Sequence, residues 1–318
     1  MKIVVLDGDS LKLGDGGYEP LKKFGELTIY HDLTVDKDEI LKRIADNDMV
    51  LLNKVPVSKE IIDASPNIKY MGMLSTGYNV LDIKAARDRN ITVTNVPEYG
   101  SDIVAQFTMG LLLEICHRIG YHSHRVKEGE WSKRKDWTFW DFPLIELADK
   151  TMGLIGYGAI GQRVAKIAQA LSMKVLCYTR TPREDTDHVK FVDLDTLFAN
   201  SDVISLHCPL FPETAEIINR DNIAKMKDGV IILNTARGGL VKDRDLADAL
   251  NSGKVYAAGL DVVSTEPIPD DNPLLKAENA FITPHMAWAA EDARARLLRI
   301  AIDNVANFLA GNPTNVVN

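Results

Sequence analysis

Three side chains suited to acid–base and anion chemistry follow apolar runs in the second half of the chain. Arg237 lies in NTARGG (234–239), Glu266 ends the stretch LDVVSTE, and His285 lies in TPHMAW. Each run has the character of a buried strand, and ligands of doubly wound folds bind beyond the carboxyl ends of strands. An arginine can grip a carboxylate and polarise a keto oxygen, a histidine can give that oxygen a proton, and a glutamate can orient the imidazole and favour its charged form. These are the parts that the reduction of a 2-keto acid requires.

A glycine-rich turn stands earlier in the chain. Three glycines have the GxGxxG spacing directly after an apolar run: Gly156, Gly158 and Gly161. A helix-like run, 162–171, follows, and in this strand–turn–helix setting the motif predicts a dinucleotide site. The backbone N–H groups of Ala159 and Ile160 would point at the pyrophosphate, assisted by the helix dipole.

The end of the next apolar run bears on which dinucleotide binds. An acidic residue for the ribose hydroxyls is expected about 20 residues after the glycines. Thr179 stands in its place, and Arg180 and Arg183 follow. A carboxylate would repel a ribose 2′-phosphate, whereas threonine and arginine can bind one. The sequence therefore favours NADP(H) as cofactor, with NAD(H) as the alternative if the two arginines are only solvated loop residues.

Short apolar runs alternate with amphipathic, helix-like stretches along the chain. The first series lies at 2–6, 27–30, 49–52, 70–74 and 91–94. The second series lies at 151–155, 174–178, 202–206, 229–233, 256–260 and 280–282. This alternation predicts an α/β fold of doubly wound parallel sheets with helices on both faces. A long helix over 102–127, with Ser101 as its N-cap, separates the two series, and a last helix is predicted over about 288–310.

The composition excludes several classes of protein. A length of 318 residues suggests about two domains. The chain has 37 basic and 45 acidic residues, which argues against nucleic acid as a partner. Three cysteines without a C-x-x-C pair fit a reducing cytoplasm, and no segment approaches the roughly 18–20 apolar residues of a membrane span. His122 and His124 are two residues apart on the predicted helix and do not share a face, so no metal site is predicted.

Taken together, the motifs resemble the D-isomer-specific 2-hydroxyacid dehydrogenase family along essentially the whole chain. The matching segments, in the family's order, are GLIGYGAIGQRVA, HCPL (207–210), NTARGGLVKDRDLADAL, GLDVVSTEP and TPHMAW. The resemblance implies that Arg237 binds substrate, Glu266 pairs with the histidine, and His285 is the acid–base residue. It also implies cofactor contacts along the adenosine side and at the nicotinamide end, from Cys208, Pro209, Thr235, Ala236 and Asp261.

The resemblance implies a domain arrangement as well. A Rossmann-type nucleotide domain, about 100–286, would be inserted into a flavodoxin-like substrate domain formed by 1–99 plus 287–318. A loop of the substrate domain would bind the substrate carboxylate through backbone N–H groups, and its candidates are Ser75, Thr76, Gly77 and Tyr78. Thr76 is also a candidate for approach to the cofactor. Lys54, which follows a strand-like run, is either a substrate contact or a surface ion.

Within the family, three segments resemble the glycerate dehydrogenase/hydroxypyruvate reductase group: NKVP (53–56), WTFWDFPLIEL (137–147) and HMAW (285–288). A bulky Trp288 near the histidine favours a small substrate, hydroxypyruvate or glyoxylate, reduced to D-glycerate or glycolate. Lactate-type reduction stays open. So does a binding role, since the family's dinucleotide-sensing co-repressors share the fold. Members of the family usually form dimers, and an exposed aromatic segment after the long helix would need to be buried. The resemblance therefore implies a homodimer.

Overall fold

The computed structural model describes residues 1–14 and 16–318. The chain divides into two compact units: unit 1 is Met1–Gly100 with Trp288–Asn318, and unit 2 is Ser101–Ala287. These boundaries lie one residue from those expected above. The assignment of unit 1 to substrate and of unit 2 to nucleotide stays a prediction.

Unit 1 is built on a five-stranded parallel sheet with the strand order β2-β1-β3-β4-β5. Its strands are β1 (Lys2–Val5), β2 (Glu26–Ile29), β3 (Met49–Leu52), β4 (Tyr70–Met73) and β5 (Thr92–Thr94). Its helices are α1 (Lys37–Ile44), α2 (Lys59–Ala64), α3 (Ile83–Asp88) and α11 (Glu291–Leu309). The order is that of flavodoxin-like folds, whose ligands bind beyond the carboxyl ends of the strands.

Local sequence explains these elements. Every residue of β3 and β4 is buried, as expected for central strands covered on both faces. Asp36 caps α1 by accepting a hydrogen bond from the Glu39 N–H, and Asp82 caps α3 in the same way. At the edge of the sheet, Val316 bridges β5 in antiparallel fashion.

Unit 2 is built on a seven-stranded parallel sheet with the strand order β12-β11-β10-β9-β6-β7-β8. Its strands are β6 (Thr151–Ile155), β7 (Lys174–Tyr178), β8 (Lys190–Phe191), β9 (Val203–Leu206), β10 (Val230–Asn234), β11 (Val255–Leu260) and β12 (Ala280–Ile282). Its helices are α4 (Ser101–His117), α5 (Ile119–Lys127), α6 (Glu130–Lys133), α7 (Ala159–Ala170), α8 (Leu194–Asn200), α9 (Arg220–Lys225) and α10 (Asp243–Ser252). From β6 the chain adds β7 and β8 on one side, and from β9 onward it adds strands on the other side. The boundary between β6 and β9 is therefore the switch point at which Rossmann-type folds bind nucleotides. The predicted α/β fold with two doubly wound parallel sheets is confirmed.

Two sequence predictions about the long helix are wrong. Ser101 is its first residue and not its N-cap. The helix also breaks at Arg118, which adopts a left-handed conformation with φ 48°. The Arg118 guanidinium lies 4.6 Å from the Phe142 ring centroid and 4.4 Å from that of Phe281, and it donates a hydrogen bond to Asn279. These tertiary contacts stabilise a backbone conformation that a non-glycine residue rarely adopts.

Candidate active site

His285 and Glu266 form an ion-pair geometry beyond the carboxyl end of the sheet of unit 2. His285 follows β12 and Glu266 follows β11, and these strands are neighbours. Nδ1 of His285 lies 2.6 Å from Oε2 of Glu266, and about a third of each side chain is exposed. The other carboxylate oxygen, Oε1, accepts a hydrogen bond from the Val263 N–H. This pairing fixes the orientation of the imidazole and directs Nε2 away from the carboxylate.

Asp261 holds the turn that carries His285. His285 has φ 51°, a left-handed conformation that needs support from its surroundings. The Asp261 carbonyl accepts from the His285 N–H at 2.8 Å, and its carboxylate accepts from Thr283 Oγ1, the Met286 N–H and the Ala287 N–H. Burial raises the pKa of Asp261. Through its three accepted hydrogen bonds, the Asp261 carboxylate shapes the turn that carries His285. Its expected contact with the nicotinamide stays a prediction.

Arg237 lies in the loop after β10, next to β11. It is exposed, and its guanidinium donates to the Ala236 carbonyl at 2.7 Å. The loop is shaped by fully buried Asn234, whose side chain accepts from the Ala236 N–H and donates to the Arg237 carbonyl. Thr235 is tied to α4 by a 2.7 Å hydrogen bond between its hydroxyl and that of Thr108. A rigid backbone thus presents an exposed guanidinium at the same edge as His285.

Gly238 brings the arginine loop against the glutamate loop. A side chain at this position would collide with the backbone carbonyl of Val263. No larger residue fits unless the two loops separate. The loops that carry Arg237 and Glu266 therefore pack as one piece.

The glycine turn after β6 combines two tightly packed glycines with one that faces open space. Gly156 has φ 103°, and a Cβ there would lie 2.6 Å from the His207 carbonyl oxygen. Gly161 packs so closely on Gly156 that a side chain would strike its carbonyl. At Gly158, by contrast, a Cβ would meet no atom within 4 Å. Open space thus lies in front of the first turn of α7, where N–H groups lack intrahelical acceptors.

The predicted ribose-binding residues follow β7, beside β6. Thr179 donates its hydroxyl to the Thr181 carbonyl. The Arg180 guanidinium lies 5.5 Å from the Phe211 ring centroid, and that of Arg183 lies 5.7 Å from the Tyr157 ring centroid. Tyr157 belongs to the glycine turn, and Phe211 follows β9. The strand ends around the switch point therefore gather two guanidinium groups beside the glycine turn.

The HCPL segment follows β9. The His207 imidazole lies 2.8 Å from the Ser205 hydroxyl, and burial lowers the pKa of His207 to about 4. Burial raises the pKa of the Cys208 thiol to about 11, and the exposed Pro209 follows it. His207 is therefore neutral at neutral pH and cannot serve as an acid there, whereas His285 has a carboxylate partner.

Acid should destabilise the protein through His207. An unfolded histidine has a pKa near 6.5 and the folded one about 4, so the unfolded chain binds more protons between these values. The contribution of His207 to the free energy of unfolding is fully present above pH 6.5 and decreases, by on the order of 2–3 kcal/mol, as the pH falls to 4. Urea unfolding across this window should show a shallower pH dependence for His207→Asn than for the wild type. The exposed His188→Asn is the control, and equal slopes for all three proteins would contradict the assignment.

The expected substrate-binding residues of unit 1 lie at the ends of two neighbouring strands, β3 and β4. The carboxylate of buried Asp7 accepts from the N–H groups of Asn53 and Lys54, and the Lys54 side chain is exposed. The loop after β4 is held by side-chain hydrogen bonds from Ser75 to the Gly77 carbonyl and from Thr76 to the Val96 carbonyl. Tyr78 is 36% exposed.

Sequence reasoning missed several residues that shape these loops: Asp7, Thr108, Asn234, Gly238 and Asp243. A polar residue at the end of a buried apolar run was the available signal for Asp7 and Asn234, because a buried polar group needs a partner. The NTARGG motif contains both Asn234 and Gly238. Thr108 and Asp243 carry no such signal, since their partners are distant in sequence.

A metal site requires clustered ligands, and a membrane-spanning helix requires length and apolarity. Residues 1–14 and 16–318 contain no group of three His, Cys, Asp or Glu side chains arranged to hold a metal ion. In the same part of the chain no single helix has the length and apolarity to cross a membrane, although the bent pair α4 and α5 together passes the test of length and composition.

An imidazole–carboxylate pair and a glycine turn with open space at Gly158, at one edge of a Rossmann-type sheet, are typical of nicotinamide-dependent oxidoreductases. Residues 109–287 match the model of the D-isomer specific 2-hydroxyacid dehydrogenase NAD-binding domain. The chain belongs to the D-isomer specific 2-hydroxyacid dehydrogenase family, which confirms the resemblance inferred from its motifs.

Relatives with named activities align with this chain over nearly its full length. It is 55% identical to a hydroxypyruvate reductase of Blautia hydrogenotrophica, with 100% of both chains aligned. It is 37% identical to a glycerate dehydrogenase of Methylorubrum extorquens, over 99% of this chain and 98% of the relative. Among solved structures, a protein of Thermus thermophilus superposes with a TM-score of 0.88 at 34% identity, over 100% of both chains.

Proposed function

We propose that the protein reduces a small 2-keto acid, hydroxypyruvate or glyoxylate, to the D-2-hydroxy acid, D-glycerate or glycolate. The observation that carries this proposal is the 2.6 Å contact between His285 Nδ1 and Glu266 Oε2. This contact occupies Nδ1 and so supports a role for the other ring nitrogen, Nε2, in delivering the proton. The names of the relatives, hydroxypyruvate reductase and glycerate dehydrogenase, support the choice of substrate.

Arg237, His285 and Glu266 have different tasks in the proposed reaction. Arg237 binds the substrate carboxylate and polarises the keto oxygen. His285 donates the Nε2 proton to that oxygen as the keto carbon is reduced, and the neutral imidazole then regains a proton from solvent. Glu266 accepts the hydrogen bond from Nδ1–H throughout and stabilises the charged ring. Lys54 and the 75–78 loop stay predicted contacts of the substrate, and Thr76 also of the cofactor.

The glycine turn and the first turn of α7 would hold the pyrophosphate of NAD(P)H. When bound, the reduced nicotinamide supplies the hydride that reduces the keto carbon. The space before Gly158 and the N–H groups of Ala159 and Ile160 suit this group. Thr235, Ala236 and Asp261 are the proposed contacts near the nicotinamide, and Cys208 and Pro209 those along the adenosine.

NADPH is the favoured donor because the loop after β7 offers arginines and no carboxylate where the ribose is expected. Arg180→Ala is expected to lower kcat/KM for NADPH about tenfold and to leave kcat/KM for NADH within about twofold, since only NADPH carries the 2′-phosphate. Initial rates with each cofactor measure this. Arg220→Ala, at an exposed arginine of α9, is the matched control. A wild-type preference of tenfold or more for NADH, or an equal loss with both cofactors, would reject the NADPH assignment.

A panel of 2-keto acids tests the function itself. The purified protein is given NADPH or NADH with hydroxypyruvate, glyoxylate or pyruvate, and loss of the reduced nicotinamide's near-ultraviolet absorbance is followed. We expect the highest kcat/KM with hydroxypyruvate or glyoxylate. Highest activity with pyruvate would indicate a lactate-type enzyme. No oxidation with any acid, while dinucleotide binding persists, would favour a dinucleotide-sensing protein.

A homodimer in the cytoplasm is part of the proposal. The segment after α5 exposes large apolar side chains: Trp131 at 50%, Trp137 at 90%, Trp140 at 63% and Leu144 at 54%. Exposed apolar surface of this kind marks a protein contact. A second copy of the chain is the partner that the family resemblance indicates.

A further inference from the structure

We propose that Asp243 is a positioning residue: it holds the loop that carries Glu266 and so aligns the Glu266 carboxylate on His285. This inference rests on the proposed function, since it assigns a role within the same reaction. Asp243 opens α10, outside the row of strand-end loops that present the reacting side chains.

The contacts of Asp243 bracket Glu266 on both sides. Asp243 is 9% exposed. Its Oδ2 accepts a hydrogen bond from Ser264 Oγ at 2.6 Å and another from Asn272 Nδ2 at 2.7 Å. Ser264 precedes Glu266 by two residues, and Asn272 follows it by six. A single carboxylate oxygen therefore joins the two ends of the glutamate loop.

The hydrogen bonds of Asp243 add to the contacts that Glu266 itself makes and to the close packing of Gly238 on Val263. Residues 264–267 are exposed, so they bury little apolar surface that could fix them. Asn272 is 7% exposed, and its side-chain oxygen accepts from the Leu274 N–H at the start of a 3-10 helix, Pro273–Lys276. The hydrogen bonds of Asp243 thus connect an exposed loop to two helices.

The two oxygens of Asp243 differ in their contacts, so substitutions can separate the effect of its hydrogen bonds from the effect of its charge. Both hydrogen bonds end on Oδ2, whereas the buried Oδ1 has no hydrogen-bond partner among the residues that the structure describes. In Asp243→Asn the amide oxygen can take the place of Oδ2 and keep both bonds. In Asp243→Ala both bonds are lost, and two donors lose their acceptor.

The first readout is the proton between His285 Nδ1 and Glu266 Oε2, followed by NMR of protein labelled with 15N-histidine. A short charge-assisted hydrogen bond places this proton at low field. We expect Asp243→Ala to move the signal upfield or broaden it, Ser264→Ala to do so less, and Asp243→Asn to leave it as in the wild type. An upfield shift of this signal in Glu266→Gln, whose neutral amide removes the charge assistance, assigns it.

The second readout is steady-state reduction of the keto acid. We expect kcat of Asp243→Ala to fall about 10- to 100-fold, the scale of a small misplacement of a catalytic group, with KM for the cofactor unchanged and Asp243→Asn near the wild type. In a Glu266→Gln background, Asp243→Ala should cause no further loss, because its effect passes through Glu266. A merely structural role would lower activity in both backgrounds.

Two results would overturn the proposal. One is an unchanged proton signal in both Asp243→Ala and Ser264→Ala. If Asp243→Ala does not fold, an unchanged signal in Ser264→Ala, a substitution at an exposed residue, is enough to overturn the proposal. The second is an equal effect of Asp243→Asn and Asp243→Ala. If the wild type reduces no 2-keto acid, the proposed function fails, yet the NMR comparison still decides whether Asp243 aligns Glu266.

Discussion

Replacing His285 with alanine is expected to lower kcat for reduction by about 10²- to 10⁴-fold, the usual scale for an acid–base residue. The alkoxide that forms as hydride reaches the keto carbon would have no nearby proton donor. Neutral His207 cannot substitute for it, because burial lowers its pKa to about 4. Dinucleotide binding should persist, since the glycine turn after β6 is intact.

The rate of a single turnover should be measured as well as kcat, because product release can limit kcat and hide a slow chemical step. His124→Ala is the matched control: its side chain is 73% exposed and lies on α5. Near-normal single-turnover rates in His285→Ala would remove this residue from the mechanism. A similar loss in His124→Ala would point to a general effect on the protein.

Arg237→Lys is expected to lower kcat/KM for the keto acid by about 10- to 100-fold, the scale of a lost hydrogen bond to a charged group. Lysine keeps the charge but lacks the planar fork that binds a carboxylate through two parallel hydrogen bonds. The surrounding loop should not change, because Asn234 and Thr235 fix it through their own hydrogen bonds. Initial rates over a range of keto acid concentration give the split between kcat and KM.

Arg244→Lys is the matched control for this substitution. Arg244 is exposed on α10, seven residues further along the chain, and its replacement should leave both constants unchanged. If kcat and KM barely move in Arg237→Lys, the guanidinium does not hold the carboxylate, and an exposed residue of unit 1 such as Lys54 becomes the alternative.

Much of the fold could be predicted from the sequence because parallel strands buried on both faces are nearly continuous apolar runs. β3 and β12 have the predicted bounds, 49–52 and 280–282. β8 was missed because it is two residues long, and one of them is a lysine. The break at Arg118 was missed because its cause lies in the distant rings of Phe142 and Phe281.

The candidate site divides in a similar way. Side chains with distinctive chemistry stand in short motifs, so Arg237, Glu266 and His285 could be named from the sequence. The residues that hold their loops could not, because their hydrogen bonds join distant positions. Thr108 and Thr235 are 127 residues apart, and Asp243 is 29 residues from Asn272. Nothing local distinguishes such a threonine or aspartate from a solvated one.

The two ends of the chain belong to the same compact unit, and this has a consequence for biosynthesis. The ribosome releases residues 101–287 as one uninterrupted stretch, so unit 2 can fold as soon as it emerges. The first hundred residues cannot complete their packing before α11 emerges, because α11 lies on β4, with the Tyr70 and Phe308 ring centroids 4.8 Å apart. Until α11 is translated, the apolar surface of β4 that it covers is open to chaperones and to aggregation.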